Sequence, residues 1–137
     1  MFIRALVKDD IDQIMDFSLG PNESAWSKKA LEIALEGVLG GTYLADVGLD
    51  ATTGQVMAYA VASYAVDQAD VQHIAVNQSF RGQSLGRQLL QALIKGLVSR
   101  GAETVFLEVQ PSNQVAVNLY QSMGFECIQK RRNYYPG

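Results

Sequence analysis

The stretch Arg81-Gly82-Gln83-Ser84-Leu85-Gly86 decides how the rest of this 137-residue chain is interpreted. It is a polar turn between a β-like segment that ends at Val76 and a segment with helical periodicity. Backbone N–H groups converge at the start of a helix, so such a turn predicts an anion site. It lacks the Gly-Lys-Ser/Thr ending of a nucleotide hydrolase loop and the three-glycine spacing of a dinucleotide site, which disfavours both chemistries. Alone, the turn fits an ordinary connection equally well.

The segments on both sides of the turn predict a mixed α/β domain. After the turn, apolar residues recur at helical spacing: Leu85, Leu89, Leu90, Leu93, Ile94 and Leu97. Before it, β-like runs at residues 2–6, 42–47, 56–66 and 71–76 enclose two short helical patterns, the second capped by Ser27 and ending near Glu36. After it come a strand at 104–109, a helix capped by Ser112 and stopped by Gly124, and a strand at 125–131. This order predicts an antiparallel meander followed by a crossover with at least two parallel strands.

The length and composition of the chain limit the classes of protein to which it can belong. The length suits one domain spanning residues 1–137, and 48% hydrophobic content can fill one core. A net charge of −3 argues against direct nucleic-acid binding, and the basic run at 130–132 is interpreted as a solvated strand end. The longest apolar stretch, at 56–66, is shorter than the roughly 20 residues that a membrane span needs. We therefore expect a soluble, cytoplasmic protein without a membrane partner; the sequence leaves the oligomeric state open.

The single histidine and the single cysteine make a metal site improbable. His73 alternates with Val71 and Ala75 along its predicted strand, and a satisfied or surface histidine is the favoured interpretation. Cys127 is interpreted as a small core residue rather than a nucleophile. We therefore expect no residue of this chain to bind a metal ion.

Three polar residues after the turn are candidates for chemistry. Glu108 ends an apolar strand, where a carboxylate is either solvated or functional. Asn113 and Tyr120 are seven positions apart with Ala116 between them, so all three share one helix face. Tyr120 is equally compatible with a half-buried core aromatic.

Short motifs follow one another along nearly the whole chain: Ala25-Trp26-Ser27, His73-Ile74-Ala75-Val76, Leu107-Glu108-Val109, Ser112-Asn113, Leu119-Tyr120, Met123-Gly124-Phe125 and Arg131-Arg132-Asn133-Tyr134-Tyr135-Pro136. With the turn, they resemble the GNAT superfamily of acyl-CoA N-acyltransferases. The signature of that superfamily is Arg or Gln, two residues, Gly, one residue, and Gly or Ala; Arg81 and Gly86 match it. The more specific resemblance is to the RimI-type ribosomal-protein alanine N-acetyltransferases.

The resemblance implies a fold and a set of roles. The fold is a mixed, mostly antiparallel central sheet flanked by helices, and the co-substrate is acetyl-CoA. Glu108 matches the general base and Tyr120 the acid that protonates the departing thiolate. The residues that match cofactor contacts are the strand Ile74, Ala75 and Val76 for pantetheine, the turn Gly82, Gln83, Ser84, Leu85, Gly86 and Arg87 for pyrophosphate, and Asn113.

The resemblance also implies an acceptor: the N-terminal alanine of small-subunit ribosomal protein eighteen. Two alternatives stay open, a small-molecule amine or lysine side chain as acceptor, and a non-catalytic CoA-binding module. The chain departs from the family at Ser84, where the signature has glycine, and after Pro136, where family members usually continue into one more strand. The sequence therefore predicts a sheet that lacks the last family strand.

Overall fold

The structure, a computed structural model, describes residues 1–19, 26–80, 84–110, 112–129 and 132–136. The helices are α1 (Asp10–Met15), α2 (Lys28–Leu39), α3 (Leu85–Ser99) and α4 (Gln114–Ser122), with one 3₁₀ turn at Gln78–Phe80. The strands are β1 (Phe2–Ala5), β2 (Tyr43–Leu49), β3 (Val56–Ala65), β4 (Gln68–Val76), β5 (Thr104–Glu108), β6 (Glu126–Gln129) and β7 (Arg132–Pro136).

The seven strands form one sheet in the order β1-β2-β3-β4-β5-β7-β6. Strands β4 and β5 run parallel, and every other neighbouring pair among the described strands is antiparallel. The prediction of a mixed, mostly antiparallel sheet with a parallel crossover is therefore confirmed. The crossover from β4 to β5 is α3, as expected for a parallel pair.

Alternating side chains of the sheet feed two cores, one on each face. Ala58, Ala60 and Ala62 of β3 pack against the leucines of α3, whereas Tyr59 and Val61 pack against α1 and α2. The apolar stripe predicted for α3 is confirmed, since its five leucines at 85, 89, 90, 93 and 97 are all buried. Each such side chain contributes roughly 1.5–3 kcal/mol by leaving water. The sheet is thus covered by α1 and α2 on one face and by α3 and α4 on the other.

A charged pair joins β1 to α1. Both terminal nitrogens of the Arg4 guanidinium donate to the carboxylate of Asp10, at 2.8 and 2.9 Å, and Val7 N–H donates to the same carboxylate at 2.9 Å. The Asp10 side chain is almost completely buried, and the pairing raises the pKa of Arg4 above its usual value. These bonds hold α1 against the sheet edge.

Three sequence expectations about element ends need correction. The sequence analysis places the final strand at 125–131 and no strand after it. The structure has a further strand, β7, at Arg132–Pro136, and β7 lies between β5 and β6 in the sheet. Backbone pairing on both sides accounts for this strand. Helix α2 continues past Glu36 to Leu39, although its predicted cap is confirmed, with Ser27 Oγ accepting from Ala30 N–H at 3.1 Å. The cap of α4 is Asn113 rather than Ser112.

Candidate active site

The candidate site is a cleft that opens where β4 and β5 separate. Their parallel pairing covers four positions and ends at Val71 with Leu107, whereas β4 continues to Val76. The cleft has a volume of about 290 Å³. Its walls come from β4, from β5 with the residues that follow it, and from α4: Val71, Gln72, His73, Ile74, Ala75, Leu107, Glu108, Val109, Gln110, Asn113, Ala116 and Tyr120.

A β-bulge at Gln72 decides which way the wall residues of β4 face. On β3, the adjacent residues Val61 and Ala62 pair with His73 and Val71, so Gln72 is an extra residue on β4. Strict alternation would put Val71, His73 and Ala75 on one face of the sheet. Instead, Val71 belongs to the core under α3, whereas Ala75 belongs to the core under α1 and α2. The sequence interpretation of His73 as alternating with Val71 is therefore wrong, because the bulge turns the strand over between them.

Glu108 lies on the same face as His73. Along β5, Val105 and Leu107 are buried in the core under α3, so Glu108, one residue further, faces the opposite side. Its side chain is exposed at the end of the strand, and it lines the cleft. This position is one residue past Leu107, the last residue of β5 that pairs with β4, where these two strands begin to separate.

Aromatic rings surround His73 on that face. Its ring stacks on Trp26, with centroids 5.6 Å apart and planes 24° apart, and lies 5.5 Å from the ring of Tyr59. The Tyr59 ring is completely buried, and its hydroxyl accepts from Trp26 N–H at 3.3 Å. Burial raises the pKa of Tyr59 to about 12. Trp26 is partly buried against the core under α1 and α2, beside His73 of the cleft wall.

Sequence reasoning missed Tyr59. It falls in a long apolar run, residues 56–66, where the alternation of small alanines with larger residues was the available signal. That alternation assigns Tyr59 to the face opposite Ala58 and Ala60. Its ring then fixes the place of His73.

Helix α4 supplies the other wall. The prediction that Asn113, Ala116 and Tyr120 share one face is confirmed, because all three line the cleft. The Asn113 side chain accepts from Ala116 N–H at 3.2 Å and so caps α4. Tyr120 is buried under the α3 face of the sheet, and its ring meets that of Phe125 edge-on at 5.9 Å. Glu108 and Tyr120 thus reach one cleft from opposite faces of the sheet.

Helix α3 begins at Leu85, after strand β4, which forms one wall of the cleft. Gly82 and Gln83, two of the predicted cofactor residues, lie outside the described residues together with Arg81. Leu85 is buried, and the Arg87 guanidinium donates to Ser122 Oγ of α4. A methyl group added to Gly86 would lie 3.8 Å from Val76 and 4.0 Å from Leu119, so nothing in the described protein requires glycine there.

Ser84 precedes α3 in a left-handed conformation, with φ 58° and ψ 26°. This region is costly for residues with a Cβ and free for glycine. Its side chain makes no capping hydrogen bond to α3, whereas its carbonyl accepts from Gln88 N–H at 3.1 Å. The family glycine that Ser84 replaces would suit this backbone better.

The described residues also bear on metal binding and on membrane insertion. No three or more His, Cys, Asp or Glu side chains come close enough to hold a metal ion in that part of the chain. No helix within the described ranges is long and apolar enough to cross a membrane.

Two solved structures that this chain resembles are N-acetyltransferases. The chain superimposes with a TM-score of 0.83 on the crystal structure of the ribosomal-protein-S18-alanine N-acetyltransferase from Escherichia coli, at 28% identity, covering 98% of this chain and 92% of that one. A Thermoplasma acidophilum N-acetyltransferase, solved in complex with coenzyme A, gives a TM-score of 0.85 at 14% identity, covering 99% of this chain and 98% of that one, which shows the fold alone. The fold is that of the acyl-CoA N-acyltransferases.

The sequence comparisons give the family. The model of the Acetyltransferase (GNAT) family matches residues 11–125, and the chain belongs to this family. The ribosomal protein bS18-alanine N-acetyltransferase of Haemophilus ducreyi is 34% identical over 135 residues, 98% of this chain and 88% of that protein. The E. coli K12 protein of the same name is 45% identical over 83 residues, 61% of this chain, and that match spans only 56% of the E. coli protein. These relatives confirm the resemblance to the ribosomal-protein alanine N-acetyltransferases.

Proposed function

We propose that this protein transfers the acetyl group of acetyl-CoA to the N-terminal alanine of a ribosomal protein, small-subunit protein eighteen. Family membership supports acetyl transfer, and the names of the relatives from E. coli and H. ducreyi support the acceptor. The observation that carries the proposal is the cleft between β4 and β5, which brings Glu108 and Tyr120 together from opposite faces of the sheet. A ribosomal acceptor places the reaction in the cytoplasm.

The donor would lie along β4 and reach the start of α3. Beyond Val71, β4 is no longer paired with β5, so Ile74 and Ala75 border the cleft, and an extended pantetheine amide chain would pair with the backbone of Ile74, Ala75 and Val76. The pyrophosphate would then meet the turn of Gly82, Gln83, Ser84, Leu85, Gly86 and Arg87 at the positive end of α3. Asn113, at the cleft wall, is the remaining proposed CoA contact.

The acetyl thioester would then lie in the cleft itself, between the two faces of the sheet. The acceptor amine enters from the face of Glu108, whose exposed carboxylate attracts an ammonium ion and removes a proton directly or through water. The neutral amine attacks the thioester carbonyl carbon, and the carbon–sulfur bond then breaks. Tyr120, on the opposite face, donates its phenolic proton to the departing thiolate.

The energetic demand on the base depends on the acceptor. A peptide α-amino group ionises with a pKa of about 8, against about 10.4 for lysine. Near neutral pH, an N-terminal acceptor therefore supplies free amine at a fraction of roughly one in ten, hundreds of times more than lysine does. An exposed carboxylate such as Glu108 is better suited to the α-amine.

An acceptor panel tests this function. The protein is incubated with acetyl-CoA and, separately, an alanine-terminated peptide, the same peptide with a blocked N-terminus, a lysine peptide and a polyamine, while thiol release is followed. We expect transfer to the free alanine terminus. Transfer only to small amines would show that the acceptor is a small-molecule amine. CoA binding without transfer to any amine would show that the protein is a non-catalytic CoA-binding module.

The Glu108→Gln variant tests the assigned base. It keeps the size of the side chain and removes the carboxylate, so the turnover number should fall about 10²-fold or more while CoA binding stays nearly unchanged. Glu126→Gln, in β6 outside the cleft lining, is the matched control. An unchanged turnover number across the pH range in correctly folded Glu108→Gln would remove the assignment.

A further inference from the structure

His73 lines the cleft, and the reaction proposed above gives it no task. It is the only histidine of the chain. The bulge at Gln72 places it on the same face as Glu108, the face from which the acceptor would enter. His73 lies two residues past Val71 and Glu108 one residue past Leu107, the last two residues that pair β4 with β5. The two side chains therefore flank the same opening in the sheet.

The ring of His73 is held in position by its neighbours. Trp26 stacks against it at 5.6 Å and Tyr59 lies at 5.5 Å, both on the face of α1 and α2. Tyr59 is in turn held through the hydrogen bond from Trp26 N–H to its hydroxyl. A ring that contacts two other rings keeps one orientation at the cleft wall, as a proton-accepting group requires.

Two carboxyl groups lie on the same face of the sheet as His73. Asp70 of β4 and Glu108 of β5 lie on its face of the sheet by their alternation, and both are carboxyl groups. Tyr59 of β3 stays neutral because its pKa is raised to about 12. Trp26, from the segment before α2, does not titrate, and Tyr120 of α4 reaches the cleft from the opposite face. Of these groups, the titratable ones on the face of His73 are therefore two carboxyl groups and a neutral tyrosine.

The proton affinities of the reacting groups differ. A peptide amine ionises near pH 8, an imidazole near 6.5 and a glutamate near 4.3, so an imidazole matches the amine proton better than a carboxylate does. We propose that His73 is a second catalytic proton acceptor of this site, which receives through water the proton that Glu108 removes from the ammonium ion. This inference rests on the proposed acetyl transfer and adds a residue to it.

Glu108 removes one proton from the acceptor ammonium, which becomes a neutral amine, and water carries that proton on to the neutral imidazole of His73. The amine nitrogen forms a bond to the acetyl carbon while the carbon–sulfur bond breaks, and Tyr120 protonates the thiolate. The nitrogen loses a second proton on becoming an amide, which restores the phenol of Tyr120 through solvent. The imidazolium then releases its proton to solvent, so the net products are the amide, the thiol of CoA and one proton.

The single histidine makes the test direct, since its ring signal in proton NMR needs no assignment. The titration of that signal is compared with the pH dependence of kcat/KM for an alanine-terminated peptide, in the wild type and in His73→Asn and His73→Gln. Gln68→Ala, an exposed position on the same strand outside the cleft lining, is the matched control. Thermal unfolding confirms that each variant is folded.

We expect the acidic limb of the wild-type profile to coincide with the NMR titration of His73. In His73→Asn and His73→Gln, kcat should fall about 10²-fold, that limb should disappear, and the KM for acetyl-CoA should change less than about threefold. Folded variants with unchanged kcat, or with lower kcat but the same acidic limb, would assign His73 to packing and overturn the inference alone. A wild-type protein that acetylates no amine would overturn the proposed function and this inference with it.

Discussion

Replacing Ser84 with glycine should stabilise the protein without weakening CoA binding. Ser84 has φ 58°, where a residue with a Cβ costs roughly 1–2 kcal/mol relative to its usual conformations. Glycine removes that cost but adds about 0.4–1 kcal/mol of freedom to the unfolded chain. The net expectation is a gain of about 0.5–1 kcal/mol, or roughly 2–4 °C in Tm for a domain of this size.

Ser84→Ala separates the backbone from the hydroxyl. It keeps the positive φ and removes an oxygen that makes no capping bond to α3, so its stability should stay within about 0.5 kcal/mol of the wild type. If the hydroxyl donates to the CoA pyrophosphate, Ser84→Ala should bind CoA more weakly than Ser84→Gly does.

Val66 offers a matched control. It is the other described non-glycine residue with a positive φ, at 56°, and it is 90% exposed at the tip of the β3–β4 hairpin, away from the cleft. Because a β-branched residue is especially strained there, Val66→Gly should stabilise the protein at least as much as Ser84→Gly. Urea unfolding gives the stability of Ser84→Gly, Ser84→Ala and Val66→Gly relative to the wild type, and calorimetry gives their affinity for CoA. A loss of stability in Ser84→Gly, or a marked loss of CoA affinity, would refute the reasoning.

Three further predictions concern stability and pH. Gly86→Ala should stabilise α3 by up to about 1 kcal/mol, measured by urea unfolding, because its new methyl group fits at ordinary contact distances; a destabilised variant would contradict the space seen there. Burial raises the pKa of Tyr59 to about 12, whereas an unfolded tyrosine ionises near 10. The contribution of the neutral Tyr59 side chain to the free energy of unfolding is therefore complete below about pH 10 and is lost as the pH rises towards 12. That loss, up to about 3 kcal/mol, should be absent in Tyr59→Phe, and equal alkaline losses in both proteins would contradict it. Asp10→Asn should cost about 1–2 kcal/mol at neutral pH, since it weakens the pair with Arg4, and an unchanged unfolding midpoint would count against that pair.

The regular parts of the fold could be predicted because local patterns carry them. The stripe of α3 and the cap at Ser27 are written in short windows of sequence, and both are confirmed. The β7 strand was missed because its formation depends on pairing with β6 and with β5, and β5 lies far from it in the chain. Pairing of this kind leaves little trace in the strand's own sequence.

The candidate site was predictable in its parts and not in its arrangement. Asn113 and Tyr120 follow from helical spacing, and Glu108 from its place at the end of an apolar strand. The side of the sheet on which His73 lies depends on one extra residue, Gln72, and a period-two pattern cannot reveal a bulge. Likewise, nothing in the local sequence reports that Ser84 adopts a positive φ; the family signature alone hinted at it.

The most direct test of the central claim uses one peptide with two amines, an N-terminal alanine and an internal lysine. The peptide is incubated with the protein and acetyl-CoA, and fragmentation mass spectrometry locates the acetyl group. The account predicts a single acetyl group on the alanine nitrogen, formed by the wild type and about 10²-fold more slowly by Glu108→Gln. Acetylation of the lysine alone, or no acetylation of either amine, would contradict it.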